Sequence, residues 1–333
     1  MKISSVGDIG DIVYALCILK QIPNGPHTLC LRPSPQTKSK DMAGIQRLHD
    51  TIAPMVIQQP YIRTVEIISP GDPVDWKSED FRQRHYTKGE TLMKAHLNHF
   101  NKVHGPLHGF RDDLPWLDVE PDRRSAGRVV INRTDRYHND RFPWEAVVRH
   151  YRHRLMFVGL KHEWATFIRQ FGYVEFKPTV DLLEVARLIK GSELFIGNQS
   201  CAYACAEGLK HPTIQETHLI YPDCVYVRPN AQYVADGKVV LPDGTVLTGP
   251  VPVRDRASYK TMQTPPGLWQ FPGCMPHPAF TVAVGYVAQH EKISLEEAQD
   301  RLYDANVARC PAFFTDSTET QKLARVRAAM GVS

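Results

Sequence analysis

No apolar run in this chain approaches the roughly 20 residues needed to cross a bilayer. Its amino terminus also lacks a basic stretch followed by an apolar one. Both absences point to the cytoplasm. Cysteine is sparse, with seven scattered through 333 residues and no C-x-x-C spacing. Cys201 and Cys205 lie four apart without further ligands beside them, so a structural zinc site is not expected and the thiols read as reduced. Neither charge sign is in large excess: 40 Lys and Arg face 36 Asp and Glu, a net +4. That balance fits an anionic ligand without requiring one. No repeat of 20–50 residues is visible, so the chain is not read as a repeat array.

What the chain has is length and alternation. At 333 residues it exceeds what one core usually serves, and two domains are expected. Short strands are read at 2–6, 27–32 and 65–68, separated by helices at 12–21 and 44–55. Residues 85–108, rich in His and Lys, read as a helix with a flanking loop. Leu114 to Ala126 holds prolines, acids and turn formers and reads as a linker. The pattern restarts at Gly127, with strands at 128–132, 155–159, 193–197 and 212–215 and helices at 143–151, 163–171, 182–190 and 200–209. Strand–helix alternation of this kind implies mainly parallel sheets covered by helices. The units are therefore 1–120 and 127–310, with a basic helical tail at 311–333 long enough to cross back over the first. Asp236-Gly237 and Asp243-Gly244 bracket a short hairpin, KVVLPDGTVL. Residues 264–278, rich in Pro and Gly, read as irregular, and S-L-E-E at Ser294 opens a capped helix.

Three stretches carry chemistry. The first strand runs into Gly7-Asp8 and Gly10-Asp11, two carboxylates where a sheet's carboxyl edge meets a helix amino end. Arg133, Arg136, Arg141, Arg149 and Arg152 crowd between Arg128 and Arg154 with His138, His150 and His153, opposed only by Asp135, Asp140 and Glu145. A third strand–turn–helix, Glu193 to Ile214, has a helix of small residues beginning at Ser200, a pattern of phosphate binders.

Taken in order, these stretches resemble the motifs of the heptosyltransferase-like glycosyltransferases. "GDIVYALCIL", Gly10 to Leu19, is similar to the family's opening Gly-Asp and apolar helix. "NRTDRYHNDRFPWEAV", Asn132 to Val147, resembles the stretch where basic residues precede a Trp-Pro pair, here Pro143-Trp144. "ELFIGNQSCAYACAEGLKHPTI" is similar to the second-domain strand, turn and small-residue helix. The hairpin and tail have no counterpart in the resemblance.

The resemblance implies an α/β fold of the GT-B kind, two Rossmann-like domains facing across a cleft. The first would take the acceptor and the second a nucleotide-sugar donor. Asp11 would be the general base, with Asp8 as the fallback; Gly7 and Gly10 would let acceptor and backbone approach. Arg133, Arg136, Arg141, Gln199, Ser200 and Cys201 would hold the donor, and Glu216 its ribose. No D-x-D occurs. No metal and no other cofactor is expected, protein cations serving the leaving diphosphate. Gln199, Cys201 and Ala204 depart from the family's Asp, Gly and His, which leaves the donor open. The acceptor is a lipopolysaccharide-type glycan or, from the basic and aromatic segment 85–111, a nucleic acid. The other readings are a glycosyltransferase of modified DNA bases, a nucleotide-sugar-binding protein without turnover, and a sugar-nucleotide epimerase.

Overall fold

Helix formation in the first unit starts from a segment that has no polar face. Ile9–Gln21 (α1) follows the strand Lys2–Ser5 (β1), and Ile12 to Leu19 are all buried. A helix apolar all round has to be enclosed, and neighbouring helices enclose this one. The strands His27–Leu31 (β2), Ile62–Ile67 (β3) and Trp76–Lys77 (β4) complete a parallel sheet of order β3-β2-β1-β4. The helices Met42–Val56 (α2) and Leu92–His104 (α3) pack with it; Asp41 and Thr91 cap them, accepting from Gly44 N and Lys94 N. This computed structural model describes residues 1–6, 8–34, 39–81, 91–218, 222–235 and 237–249. Gly7, Asp236, the irregular stretch 264–278, the capped helix at 294–306 and the tail lie outside the described residues, as does 82–90 of the His-rich segment.

The second unit holds the strands Val129–Asn132 (β5), Leu155–Val158 (β6), Glu175–Lys177 (β7), Leu194–Asn198 (β8), Thr213–Glu216 (β9) and Ala231–Val234 (β10). All pair in parallel in the order β10-β9-β8-β5-β6-β7. Between them run the helices Trp144–Tyr151 (α4), Lys161–Phe171 (α5), Leu182–Gly191 (α6) and Cys201–Gly208 (α7). The chain winds outward from β5 through β7, then returns to place β8 on the other side of β5. That is the strand order of a doubly wound dinucleotide-binding sheet, with its switch point between β5 and β8. The first sheet has the same reversal, between β1 and β4.

The strands β4, β7 and β10 were not legible as strands. β4 and β7 span two and three residues, too short to show a period of two; β10 has four, no fewer than strands that were read. The hairpin joins Lys238–Val240 (β11) to Val246–Thr248 (β12), with Asp243-Gly244 in its turn rather than at its edge. No helix among the described residues is long and apolar enough to cross a membrane.

The segment read as a linker is a packed strap. Trp116 is 1% exposed, and its indole N–H donates to Val13 O at 2.9 Å. Its backbone N–H and that of Leu117 donate to Gly208 O at 2.8 and 3.0 Å, and its carbonyl accepts from Tyr61 Oη at 2.6 Å. The Lys210 ammonium lies 4.8 Å from the indole centroid. A Cβ at Gly208 would stand 2.8 Å from Leu117 Cδ1, so a larger residue there would have to displace the Leu117 side chain. One apolar core consequently runs from α1 and α2 through Trp116 into α6 and α7. A second core lies on the other face of the second sheet, around Trp144, Phe157 and Phe167. Trp116→Ala should cost about 3–5 kcal/mol, measured by urea denaturation. A loss below about 1 kcal/mol would show that the strap is not part of the shared core.

Candidate functional site

At the first switch point, β1 ends beside the residues that follow β4. α1 begins earlier than the sequence suggested, so Gly10-Asp11 is helical. Asp8 is the N-cap residue, exposed, with no side-chain capping bond. Asp11, half-buried, lies in the first turn, where the helix dipole favours a carboxylate. Gly10 needs no special backbone angle, and a Cβ built there meets nothing within 4 Å. The glycine therefore leaves open space over the first turn instead of relieving strain.

A third carboxylate stands on this edge and escaped the sequence reading. Glu79 accepts from Ser4 Oγ at 2.9 Å and from Arg32 Nε at 2.8 Å. It follows a strand of two residues, a signal too short to place it in advance. The Arg32 ion pair neutralises it and joins the ends of three strands.

The second switch point is bridged by two asparagines. Asn132, ending β5, donates from Nδ2 to Val158 O at 2.8 Å and accepts from Ser200 Oγ at 2.8 Å. Asn198, ending β8, accepts from Thr134 N at 3.0 Å and donates to Thr134 O at 3.2 Å and to Arg136 O. The loop after β5 is thus fastened to the tip of β8. Ser200 caps α7, accepting from Tyr203 N at 3.2 Å. Its hydroxyl proton is engaged with Asn132, so in this structure Ser200 shapes the helix end. Gln199, 5% exposed, accepts from His218 N at 3.2 Å. Cys201 opens α7; burial pushes its thiol pKa up, and the Glu163 carboxylate adds to that shift. Ala204 is fully buried, so the position that departs from the family's histidine serves packing here.

The arginine-rich stretch divides between the two edges of the sheet. Arg128 and Arg154 precede β5 and β6 and pair with Glu175 and Glu193 at the amino edge, away from the switch point. Arg149, Arg152 and His153 are exposed at the far end of α4 and just beyond it. Only Arg133, Arg136 and Arg141 reach the carboxyl edge. Arg133 faces Glu216. Its Nε is 2.9 Å from Glu216 Oε2, and its Nη2 is 2.9 Å from Oε1. Glu216 also accepts from Asn139 N at 2.7 Å and Trp144 Nε1 at 2.8 Å. With a side chain 0% exposed, this carboxylate braces the loop from within. Burial and the strand-end position decide this, and neither is visible in residue types.

Arg136 remains exposed, with its guanidinium 5.1 Å from the Tyr137 ring and no acidic partner among the described residues. Arg141 is half-buried. Its carbonyl is enclosed by the ends of the hairpin: a Cβ at Gly249 would fall 1.7 Å from that oxygen. His138 Nε2 donates to Thr134 O at 2.6 Å and belongs to the loop's internal bonding. Beside the loop, Asp135, His162 and Glu163 bring ligand-type atoms within 4.8 Å of one another, with Asp135 and His162 exposed.

The helices that follow the two switch points, α1 and α7, pack against each other within one apolar core.

No protein-family model matches the chain, and no curated protein matches it. Solved structures do. E. coli heptosyltransferase WaaC with ADP-2-deoxy-2-fluoro heptose matches at 12% identity and a TM-score of 0.47, over 70% of this chain and 92% of that one. A glycosyl transferase family 9 structure from Veillonella parvula matches at 9% identity and a TM-score of 0.48, over 70% and 84%. E. coli ADP-heptose lps heptosyltransferase II matches at 11% and 0.41, over 73% and 92%.

Removing one partner of the Arg133–Glu216 pair leaves a buried charge uncompensated. Arg133→Met should therefore cost about 3–5 kcal/mol, and Arg133→Met with Glu216→Leu should recover part of that. Urea denaturation of the single and double variants measures both. Equal losses in the two would show that the carboxylate's other partners, and not Arg133, hold the loop.

Proposed function

We propose that this chain is a glycosyltransferase that moves a sugar from a nucleotide-diphosphate donor to an acceptor hydroxyl. The observation that carries the reading is the pairing of two switch points. One presents carboxylates, the other a helix amino end and an exposed arginine, and the helices that follow them pack together. Ligands of doubly wound sheets bind at such points. Glycosyl transfer needs a base on one reactant and an anion site on the other.

In this reading the first unit takes the acceptor and the second the donor. Asp11 removes the acceptor hydroxyl proton as that oxygen bonds the anomeric carbon. The bond from that carbon to the diphosphate oxygen breaks, and its electron pair leaves with the diphosphate. The α7 amino end and Arg136 receive that charge, with Arg141 behind them. Asp8 is the second carboxylate within reach. Open space over Gly10 suits a reactant approaching the backbone. Gln199 and Cys201 stand where the donor would meet the helix end. The donor's nucleotide is to be named by a thermal-shift screen of nucleoside diphosphates, since a ligand of the folded state raises its melting temperature.

We also propose that the reaction runs without a metal, protein cations serving the leaving group. Activity, read as nucleoside diphosphate release, should persist in EDTA at full rate. Loss in EDTA with recovery on adding Mn²⁺ or Mg²⁺ would overturn this and direct attention to Asp135, His162 and Glu163.

Asp11→Asn tests the base. It removes a charge that suits the helix dipole, a cost of about 0.3–1 kcal/mol. The catalytic loss should be far larger, about 10²–10⁴ in kcat, with donor affinity unchanged because the donor lies on the other sheet. Turnover at the wild-type rate would reduce Asp11 to a dipole partner and move the test to Asp8→Asn.

A further inference from the structure

Tyr137 adopts φ +59°, in the left-handed region that a bulky side chain seldom occupies. Such strain persists only where the surroundings impose it, and it gathers at ligand sites. The imposition here is explicit. Asn198 fixes Thr134 and Arg136 on one side of Tyr137. On the other, Asn139 donates from Nδ2 to Thr217 O, Val234 O and Ala235 O at 3.1–3.2 Å, and its N–H reaches Glu216. Between these two anchors the chain turns sharply and presents the Tyr137 side chain.

The phenol ring stands edge-on to the His218 imidazole, centroids 6.2 Å apart and planes at 70°. Both rings are half-buried. Tyr137 follows β5 and His218 follows β9, and the backbone N–H of His218 is held by Gln199, which follows β8. The corner formed by the two rings thus spans three adjacent strand ends, next to the switch point. Burial and the neighbouring His138 hold the His218 pKa down at about 4, so its imidazole is neutral at pH 7. Arg136, the exposed cation, is the residue adjacent to Tyr137. A cation and a neutral aromatic corner side by side match the two halves of a nucleotide, its phosphates and its base.

We infer that Tyr137 and His218 form the platform on which the donor's nucleobase stacks, making Tyr137 a specificity-determining residue of the site. The inference rests on the nucleotide-donor reading above. It gives the strain at Tyr137 a use: the loop holds the ring where the base lies.

The test is calorimetry on the full chain with ADP, GDP, UDP and inorganic pyrophosphate. Tyr137→Gly relieves the backbone and removes the ring, so its melting temperature should be equal to or above the wild type. Its affinity for the preferred nucleoside diphosphate should fall about tenfold or more, while pyrophosphate affinity stays within about twofold. Tyr137→Phe, which keeps the ring, should bind the nucleotide within about threefold of wild type. Three results would overturn the inference: a Gly variant that binds the nucleotide normally, one that loses pyrophosphate equally, or a Phe variant as weak as Gly. Wild-type protein that binds pyrophosphate but none of the nucleotides overturns the nucleotide-donor reading itself, and this platform with it.

Discussion

A single buried carboxylate governs the geometry of the second unit's ligand edge. Glu216 ends β9 without exposure and collects hydrogen bonds from Arg133, Asn139 and Trp144. A carboxylate in a dry interior is tolerated only when its charge is paired and its lone pairs are filled. Filling them draws the start, middle and end of the segment 133–144 onto one strand tip. Arg136 and Tyr137 project outward because the residues around them are pulled inward. The hairpin adds a second hold from outside by closing around the Arg141 carbonyl. A loop of eleven residues that would otherwise sample many shapes is thereby left with one, and preorganisation of this kind lowers the ordering cost of binding.

The same logic of filled partners joins the two sheets. Trp116 satisfies its indole and backbone N–H groups against α1 and α7 while its carbonyl takes the Tyr61 hydroxyl. The segment between the sheets is therefore a wedge in a continuous core. α1 and α7 pack together beside it, and the groups near their amino ends differ in charge: carboxylates at one helix, a cation beside the other. Opposed charge of that kind is what a reaction with a proton donor and an anionic leaving group calls for.

Electrostatics also separates residues that look alike in the sequence. Among the arginines between 128 and 154, two are paired at the amino edge of the sheet, one is buried against Glu216, and one is exposed beside an aromatic ring. A cluster that reads as one basic patch resolves into bracing, edge pairing and, at the carboxyl edge, one exposed arginine. Each role follows from where a strand ends, because side chains at a carboxyl edge and at an amino edge look out on opposite sides of the sheet.

The sequence by itself determined the alternation of strands and helices, the helices that follow Asp8 and Ser200, and the turn chemistry of the hairpin. These are local properties: an apolar period, a cap, a pair of turn residues. The strands β4 and β7 were beyond it because two or three residues carry no period. Only the tertiary structure decided that Gly10-Asp11 lies inside a helix, that the strap is buried, and that Ser200 bonds to Asn132. It alone turned Arg133 and Glu216 toward each other and left Arg136 facing out. Those outcomes depend on which strand ends become neighbours, a matter of sheet order, and residue types in line do not encode it. Tyr137 is the sharpest case, since its strained backbone is imposed by Asn198 and Asn139, whose partners are distant in sequence and adjacent only once the second sheet has formed.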